Sequence, residues 1–227
     1  MTLRVNDPTD TSLNWYVPLT KNPKYHILWG VHDDGNVYDI DNLKSVATYI
    51  LHQNKRLGLV ISDGGLGIHT DKGQKVESLK EFYTARIILS ELLLCLMTLR
   101  FGGHFVCKLV GALSHFTNSI IWLCCQLWQT VYIVKPSHSR VINSESYLVC
   151  KWLQPQNVKV AISLLTTLHG KFENGYSPIS VVPIDWICAD NDFMRTSGHA
   201  NTIMTKMQTD ALRAVCDQVA KLNNVEL

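Results

Sequence analysis

No apolar stretch in this chain is long enough to cross a bilayer. The greasiest run, residues 87–99, carries Glu91 within it and ends at Arg100. It is too short and too charged to span hydrocarbon, and predicts a buried helix instead. The first eight residues, Met-Thr-Leu-Arg-Val-Asn-Asp-Pro, lack the apolar core of a secretory signal. Charge of one sign is scarce too: 21 Lys and Arg oppose 19 Asp and Glu, a net charge of +2. That balance permits a nucleic-acid partner without arguing for one, because a local basic patch matters more than the sum. The seven cysteines, Cys95, Cys107, Cys124, Cys125, Cys150, Cys188 and Cys216, are odd in number and show no paired metal-ligand spacing. Most lie inside apolar runs, so buried, reduced thiols and no metal site are expected, which fits the cytosol or nucleus. Internal repeats, low-complexity tracts, linkers and a glycine-rich strand-to-helix loop are also missing. A single domain over residues 1–227 is expected.

What is present fits one α/β domain with a sizeable core. The chain is 227 residues long, 46% hydrophobic and 18% charged, ordinary values for a globular protein. Short strands are predicted over 1–5 and 25–29, the first followed by a polar loop over 6–23. A helix over 41–54 follows from Leu43, Val46, Ala47, Ile50 and Leu51 at helical spacing. Residues 57–62 form a continuous apolar strand of the kind buried in a parallel sheet. A polar loop to about 75 leads to a long helix over 76–100, with Gly102-Gly103 as its stop. A strand over 104–109, a helix over 114–129 and a strand over 130–135 come next. The strand over 146–152 is close enough to the last to pair antiparallel with it. In the tail, a loop rich in Gly170, Gly175, Pro178 and Pro183 precedes a helix over 201–223. Its stripe of Met204, Met207, Ala211, Val215, Val219 and Leu222 reads as core packing, with a partner groove as the alternative. This order predicts a doubly wound α/β sheet with one antiparallel strand near an edge, and function at the carboxyl ends of the strands.

Those ends collect charge. Asp63 follows the strand at 57–62, Lys108 ends the strand at 104–109, Lys135 closes the strand at 130–135, and Glu145 opens the antiparallel strand at the same rim. A lysine between two carboxylates can be held in place and, with its protonation state tuned, take a proton from a hydroxyl. Adjacent carboxylates hold such a lysine charged, so the group is one cation short of a good base. An ordinary set of solvated strand ends is the plain alternative.

Three ordered strings raise that signal: Ile61-Ser-Asp-Gly-Gly65, Gly102-Gly-His-Phe-Val-Cys-Lys108, and Val134-Lys-Pro-Ser-His-Ser-Arg-Val-Ile-Asn-Ser-Glu-Ser-Tyr-Leu-Val-Cys-Lys-Trp152. Together they resemble the FtsJ-like cap ribose 2′-O-methyltransferases, most strongly the cap-1 type that methylates the first transcribed nucleotide. The string Val182-Pro-Ile-Asp-Trp-Ile-Cys-Ala-Asp-Asn-Asp-Phe193 resembles the same family. The resemblance implies a Rossmann-like sheet binding S-adenosylmethionine, with a core over 1–153 and a family-specific extension over 154–227. It implies a Lys-Asp-Lys-Glu tetrad in which Asp63, Lys108 and Glu145 match the last three members. Lys108 would activate the ribose hydroxyl, while Asp63 and Glu145 orient it. Gly35, Asn36 and Val37, with Asp63, fall where the family holds the cofactor; Asn36 stands in place of an acidic residue near the adenine, and its amide both donates and accepts. Ser139, Arg140, Asn143 and Ser144 lie in the loop the family turns toward the RNA backbone, and Arg140 suits a phosphate. Capped mRNA is the implied partner, with the transcription machinery reached through parts not in this chain and no membrane involved. The implied site of action is the nucleus, with the cytoplasm as a second location.

Two family parts have no match. The first tetrad lysine and the glycine-rich cofactor loop are expected upstream of Met1, on a central strand that this sequence lacks. The expectation is therefore an N-terminally truncated form with impaired activity. A non-catalytic methyltransferase-like module binding RNA or a partner is one alternative reading. A 2′-O-methyltransferase for another RNA or cap position is the other.

Overall fold

The computed structural model describes residues 21–53, 55–65 and 79–223. The strand expected over 1–5 and the loop over 66–75 lie outside them. Four strands form one sheet: β1 (Leu57–Ser62), β2 (Leu99–Leu109), β3 (Trp128–Val134) and β4 (Ser146–Leu153). Their order is β1-β2-β4-β3. β1 and β2 are parallel, and β4 runs antiparallel to both β2 and β3. The expected hairpin is therefore present, and its return strand is inserted one place in from the edge. Among the described residues six helices accompany the sheet: α1 (Ile40–His52), α2 (Lys80–Thr98), α3 (His115–Leu127), α4 (Val158–Glu173), α5 (Ile184–Ala189) and α6 (Asn191–Asn223).

One face of the sheet is buried. Phe105, Cys107 and Leu109 of β2 and Leu148 and Cys150 of β4 share a core with Leu43 of α1, Leu89, Leu92, Leu93 and Leu96 of α2, Ile120 and Cys124 of α3, and Val158, Leu165 and Leu168 of α4. The alternate residues point the other way, where Leu59, Ile61, Tyr132 and Val134 are exposed. The described residues thus make two layers rather than helices on both faces. The connections explain it. β1 to α2 to β2 and β2 to α3 to β3 both step across the sheet in one direction, and right-handed crossovers stepping one way leave their helices on one face. No helix among the described residues is long and apolar enough to cross a membrane.

Local chemistry sets the boundaries. Asp39 caps α1 by accepting from the Asp41 N–H, and Ser114 caps α3 by accepting from the Thr117 N–H. α2 ends at Thr98, earlier than the glycines. Gly102 and Gly103 do not stop it; they lie inside β2. The pairing jumps from Leu57 with Leu99 to Leu59 with His104. Gly102 takes the φ of +75° that this irregularity needs, and a Cβ on Gly103 would sit 2.8 Å from the Arg100 carbonyl oxygen. The strand expected over 25–29 reduces to a single bridge residue, Ile27.

The tail departs most from expectation. α4 occupies a segment read as mixed and loop-like, with Gly170 inside it. Its buried residues, Val158, Ala161, Leu165 and Leu168, fall at helical spacing. Asp190 begins α6, accepting from the Phe193 N–H at 3.0 Å and from the Trp122 indole of α3 at 3.0 Å. Ser197 and Asn201 tie the next turns to Asn118 and to the Ala112 carbonyl. Beyond them the expected core stripe is corrected: Met207, Val215, Val219 and Leu222 are exposed, Leu222 at 84%. The helix extends past the core, so its far turns find nothing to pack on among the described residues. Lysine at Val215 or Val219 should therefore shift stability by no more than about 0.5 kcal/mol. Leu92→Ala, by contrast, should cost roughly 2–5 kcal/mol in urea unfolding.

Candidate functional site

Register builds the site. Ser62 pairs with Cys107 across β1 and β2, which sets Asp63, one residue on, beside Lys108. Across the other ladder Lys108 pairs with Tyr147. Glu145 lies two residues before Tyr147, on the same side of β4. Three elements thus deliver Asp63, Lys108, Tyr147 and Glu145 to one rim, on the half-exposed face of the sheet.

Contacts follow that row. The Lys108 ammonium reaches Asp63 Oδ1 at 2.9 Å and the Asp63 carbonyl oxygen at 2.8 Å. The Lys108 side chain is 16% exposed and that of Asp63 67%, so the amine is sheltered while the carboxylate meets solvent. The Tyr147 hydroxyl donates to Asp63 Oδ1 at 3.3 Å. Burial, then the charges of Asp63 and Glu145, hold the phenol above its ordinary value, so it stays a donor between two carboxylates. Sequence reasoning passed over Tyr147. The signal was there, two residues after Glu145 on an alternating strand.

The loop after β3 is braced from within. Lys135 Nζ donates to the Asn143 carbonyl at 2.8 Å, to Asn143 Oδ1 at 2.7 Å and to the Glu145 carbonyl at 2.6 Å. Burial pulls this lysine below its ordinary value, with Glu145 opposing. It fixes the loop. Ser139 donates to Glu145 Oε1 at 3.2 Å and Ser144 to the Val110 carbonyl at 2.6 Å. Of the four residues assigned to the RNA side, Ser139, Asn143 and Ser144 shape the loop and the carboxylate. Arg140 is exposed.

The Gly35-Asn36-Val37 turn is held separately. Gly35 is buried, with φ +67°, and its N–H donates to the Trp29 carbonyl. Asn36 spends Oδ1 on the Tyr38 N–H at 3.0 Å. Asn42, fully buried on α1, organises the loop. Its amide donates to Asp34 Oδ1 at 2.7 Å and to the Asn36 carbonyl at 3.1 Å, and accepts from the His32 N–H at 3.1 Å. Val37 packs on the core.

α2 connects the two halves. Arg86 donates to the Tyr38 carbonyl at 2.8 Å and lies 4.7 Å from that ring's centre. Glu91 Oε1 accepts from the Gly64 N–H at 2.9 Å. Five residues of helix set these anchors roughly 7.5 Å apart along the axis, so one element holds both loops. The Asp63 carboxylate is exposed beside one anchor and Asn36 lies in the turn before the other, side chains of the type that can hydrogen-bond the nucleoside part of S-adenosylmethionine. Among the described residues no glycine-rich loop stands ready for its methionine end.

The cysteines lie away from this row. Cys95, Cys107, Cys124 and Cys150 are buried, and Cys125, Cys188 and Cys216 are exposed. Burial pushes the Cys95 and Cys107 thiols well up, which keeps them protonated and inert.

The glycines report how tightly the turn is built. A Cβ on Gly64 would lie 2.5 Å from Glu91 Oε1 and 2.5 Å from Ile87 Cγ2. Gly64→Ala should displace the turn and cost about 1–3 kcal/mol by overpacking. Asn42→Ala should cost at least as much as one buried unpaired polar group, about 1–3 kcal/mol. Thermal melts of both variants check these values.

Comparison with known proteins places this rim in a family. The model of the FtsJ-like methyltransferases matches residues 12–153, a span that contains Asp63, Lys108, Glu145 and Tyr147. A protein of Trypanosoma cruzi named "Cap-specific mRNA (nucleoside-2'-O-)-methyltransferase 1" is 28% identical over 211 residues, 89% of this chain and 54% of its own. Proteins of the same name from Trypanosoma brucei brucei and Caenorhabditis elegans are 37% identical over 138 residues and 32% over 197 residues. The first covers 61% of this chain and 35% of its own length, the second 83% and 21%. The chain thus spans about half, or less, of the relatives it matches. With the match covering most of its length and the rim inside it, the chain belongs to the FtsJ-like methyltransferase family.

Proposed function

We propose that this chain carries the acceptor side of an mRNA cap ribose 2′-O-methyltransferase. It moves a methyl group from S-adenosylmethionine to the 2′-hydroxyl of the first transcribed nucleotide. The observation that carries this reading is Lys108, held at 2.9 Å and 2.8 Å by Asp63, in a chain whose relatives bear the cap-specific name. Capped mRNA is the substrate in this reading and the nucleus its place of action, with the transcription machinery engaged by other parts of the protein.

When bound, S-adenosylmethionine supplies an electrophilic methyl on a sulfonium. The residues here do the rest by placement. A ribose hydroxyl lodged at the rim meets Lys108, whose Nζ is fixed by two oxygens of Asp63 and so presents one direction to the substrate. As the hydroxyl oxygen bonds the methyl carbon, its proton passes to the Lys108–Asp63 pair, where the carboxylate has room for it. Tyr147, kept protonated, holds Asp63 in place. Glu145, held by Ser139, carries the second negative charge of the row. The loop braced by Lys135 carries Arg140 outward, where a guanidinium suits a backbone phosphate.

Transfer of a labelled methyl to capped RNA, with the modified ribose mapped, tests the reading. Lys108→Ala should lower the rate on the order of 10²–10⁴-fold, the range of a lost general base. Equal transfer to uncapped RNA would point to a different RNA substrate. A chain that binds capped RNA but transfers nothing, even joined to the remainder of its protein, would be a binding module. Arg140→Ala should weaken RNA binding alike for all sequences and reduce the salt-dependence slope by about one.

A further inference from the structure

We propose that Glu91 is a positioning residue of this site: its carboxyl captures the Gly64 N–H from below and so fixes the turn from which Asp63 grips Lys108. The activity arm of its test rests on the methyltransferase reading; the structural arm does not.

Glu91 is the one charged residue in the run that forms the buried half of α2, between Ser90 and Leu92, both fully buried. A carboxyl there needs partners. One oxygen takes the Gly64 N–H at 2.9 Å, and the other faces the Cys107 thiol at 3.6 Å. Gly64 follows Asp63, and Cys107 precedes Lys108. A single carboxyl therefore touches the neighbour of each half of the ion pair, on the side away from the rim. Gly64 has no room for a Cβ against Glu91, so turn and carboxyl fit each other closely. Glu91 acts through that turn and does not meet the substrate.

Its surroundings make the contact sensitive to pH. The charged and titratable groups facing it are Asp63 from the turn, Lys108 and Cys107 from β2, and Tyr38 from the loop before α1, whose ring Arg86 of α2 covers. Burial pushes the Glu91 carboxyl up to about 7, against the opposing pull of the Gly64 and Cys107 hydrogen bonds and the Lys108 charge. The ionised form is the stronger acceptor, so the turn tightens as pH rises through about 7. The sign for stability is the reverse. A carboxyl whose folded value lies above its unfolded one binds more protons when folded. Its ionisation lowers stability as pH rises from about 4.5, and the loss is complete above about 7.

The test follows the Gly64 amide by NMR in the full chain, as wild type, Glu91→Gln and Glu91→Leu. The wild-type resonance should titrate with a midpoint near 7, and in Glu91→Gln that titration should vanish. In Glu91→Leu, Gly64 hydrogen exchange should quicken on the order of tenfold or more while the melting temperature at pH 8 rises, because a costly carboxylate is gone. In the methyl-transfer assay, Glu91→Leu should lower kcat on the order of tenfold with KM for S-adenosylmethionine little changed. Glu91→Gln should restore most of it and lose any inflection near 7. A Gly64 amide that ignores pH between 6 and 8, or is unchanged in Glu91→Leu, would overturn the proposal whatever the activity. So would full activity of Glu91→Leu where Lys108→Ala is dead. If the amide behaves as expected but the wild type transfers nothing, the positioning role stands and the methyltransferase reading of this chain falls.

Discussion

The whole arrangement hangs on the way α2 is seated. It lies against the sheet, with Leu89, Leu92, Leu93 and Leu96 buried to within 1% of full burial, so its position is fixed by packing alone. Its polar side chains then act as fixed posts. Glu81, in the first turn, accepts from the N–H groups of Leu113 and Ser114, in the loop after β2. Arg86 holds the Tyr38 carbonyl, in the loop before α1. Glu91 holds Gly64, in the loop after β1. Three loops are thus tied to one rigid element, and their relative positions inherit its stiffness. A site assembled from loops would otherwise be soft, because exposed connecting segments have little packing of their own.

That design places opposed demands on α2. Its core face is worth most when uniformly apolar, yet a post must be polar where it meets a loop. Ser90 and Thr98 meet the conflict by turning their hydroxyls back on the helix, to the carbonyls of Arg86 and Leu94. Glu91 has no such retreat, and burial raises its carboxyl to about 7. Leucine there would pack with less penalty. The hydrogen bond to Gly64 gives a local reason for the acid, and no apolar side chain can replace it.

Sequence patterning foreshadowed much of the fold, for physical reasons that also explain where it did not. β1 was legible from its apolar run, α1 from its helical spacing, α3 as a helix over 114–129, and the β3–β4 hairpin from two strands at short separation. Each of those signals is local. The glycine pair at 102–103 was misread because glycine ends helices and interrupts strands alike; only the partner strand, with Leu57 and Leu59 skipping from Leu99 to His104, decides which. α4 was hidden by Gly170, which outweighed the spacing of Val158, Ala161, Leu165 and Leu168. The stripe on α6 has true helical period, but periodicity shows that a face is apolar and cannot say whether anything covers it.

The site divides in the same way. Asp63, Lys108 and Glu145 could be placed at strand ends from the chain alone, because a strand's end is written in its sequence. That they form a row depends on register, which is written in two strands at once: Ser62 against Cys107, and Lys108 against Tyr147. A slip of one residue in either ladder would turn Lys108 or Tyr147 to the buried face. The alternation of buried Phe105, Cys107 and Leu109 with half-buried Val106 and Lys108 prevents it, since the slipped sheet would bring the lysine into the core. The apolar side of β2 is therefore what aims its one functional side chain. Sequence reading already held Glu91 as a flaw in an apolar helix. Only the fold, by bringing Gly64 to within 2.9 Å of it, turns that flaw into part of the site.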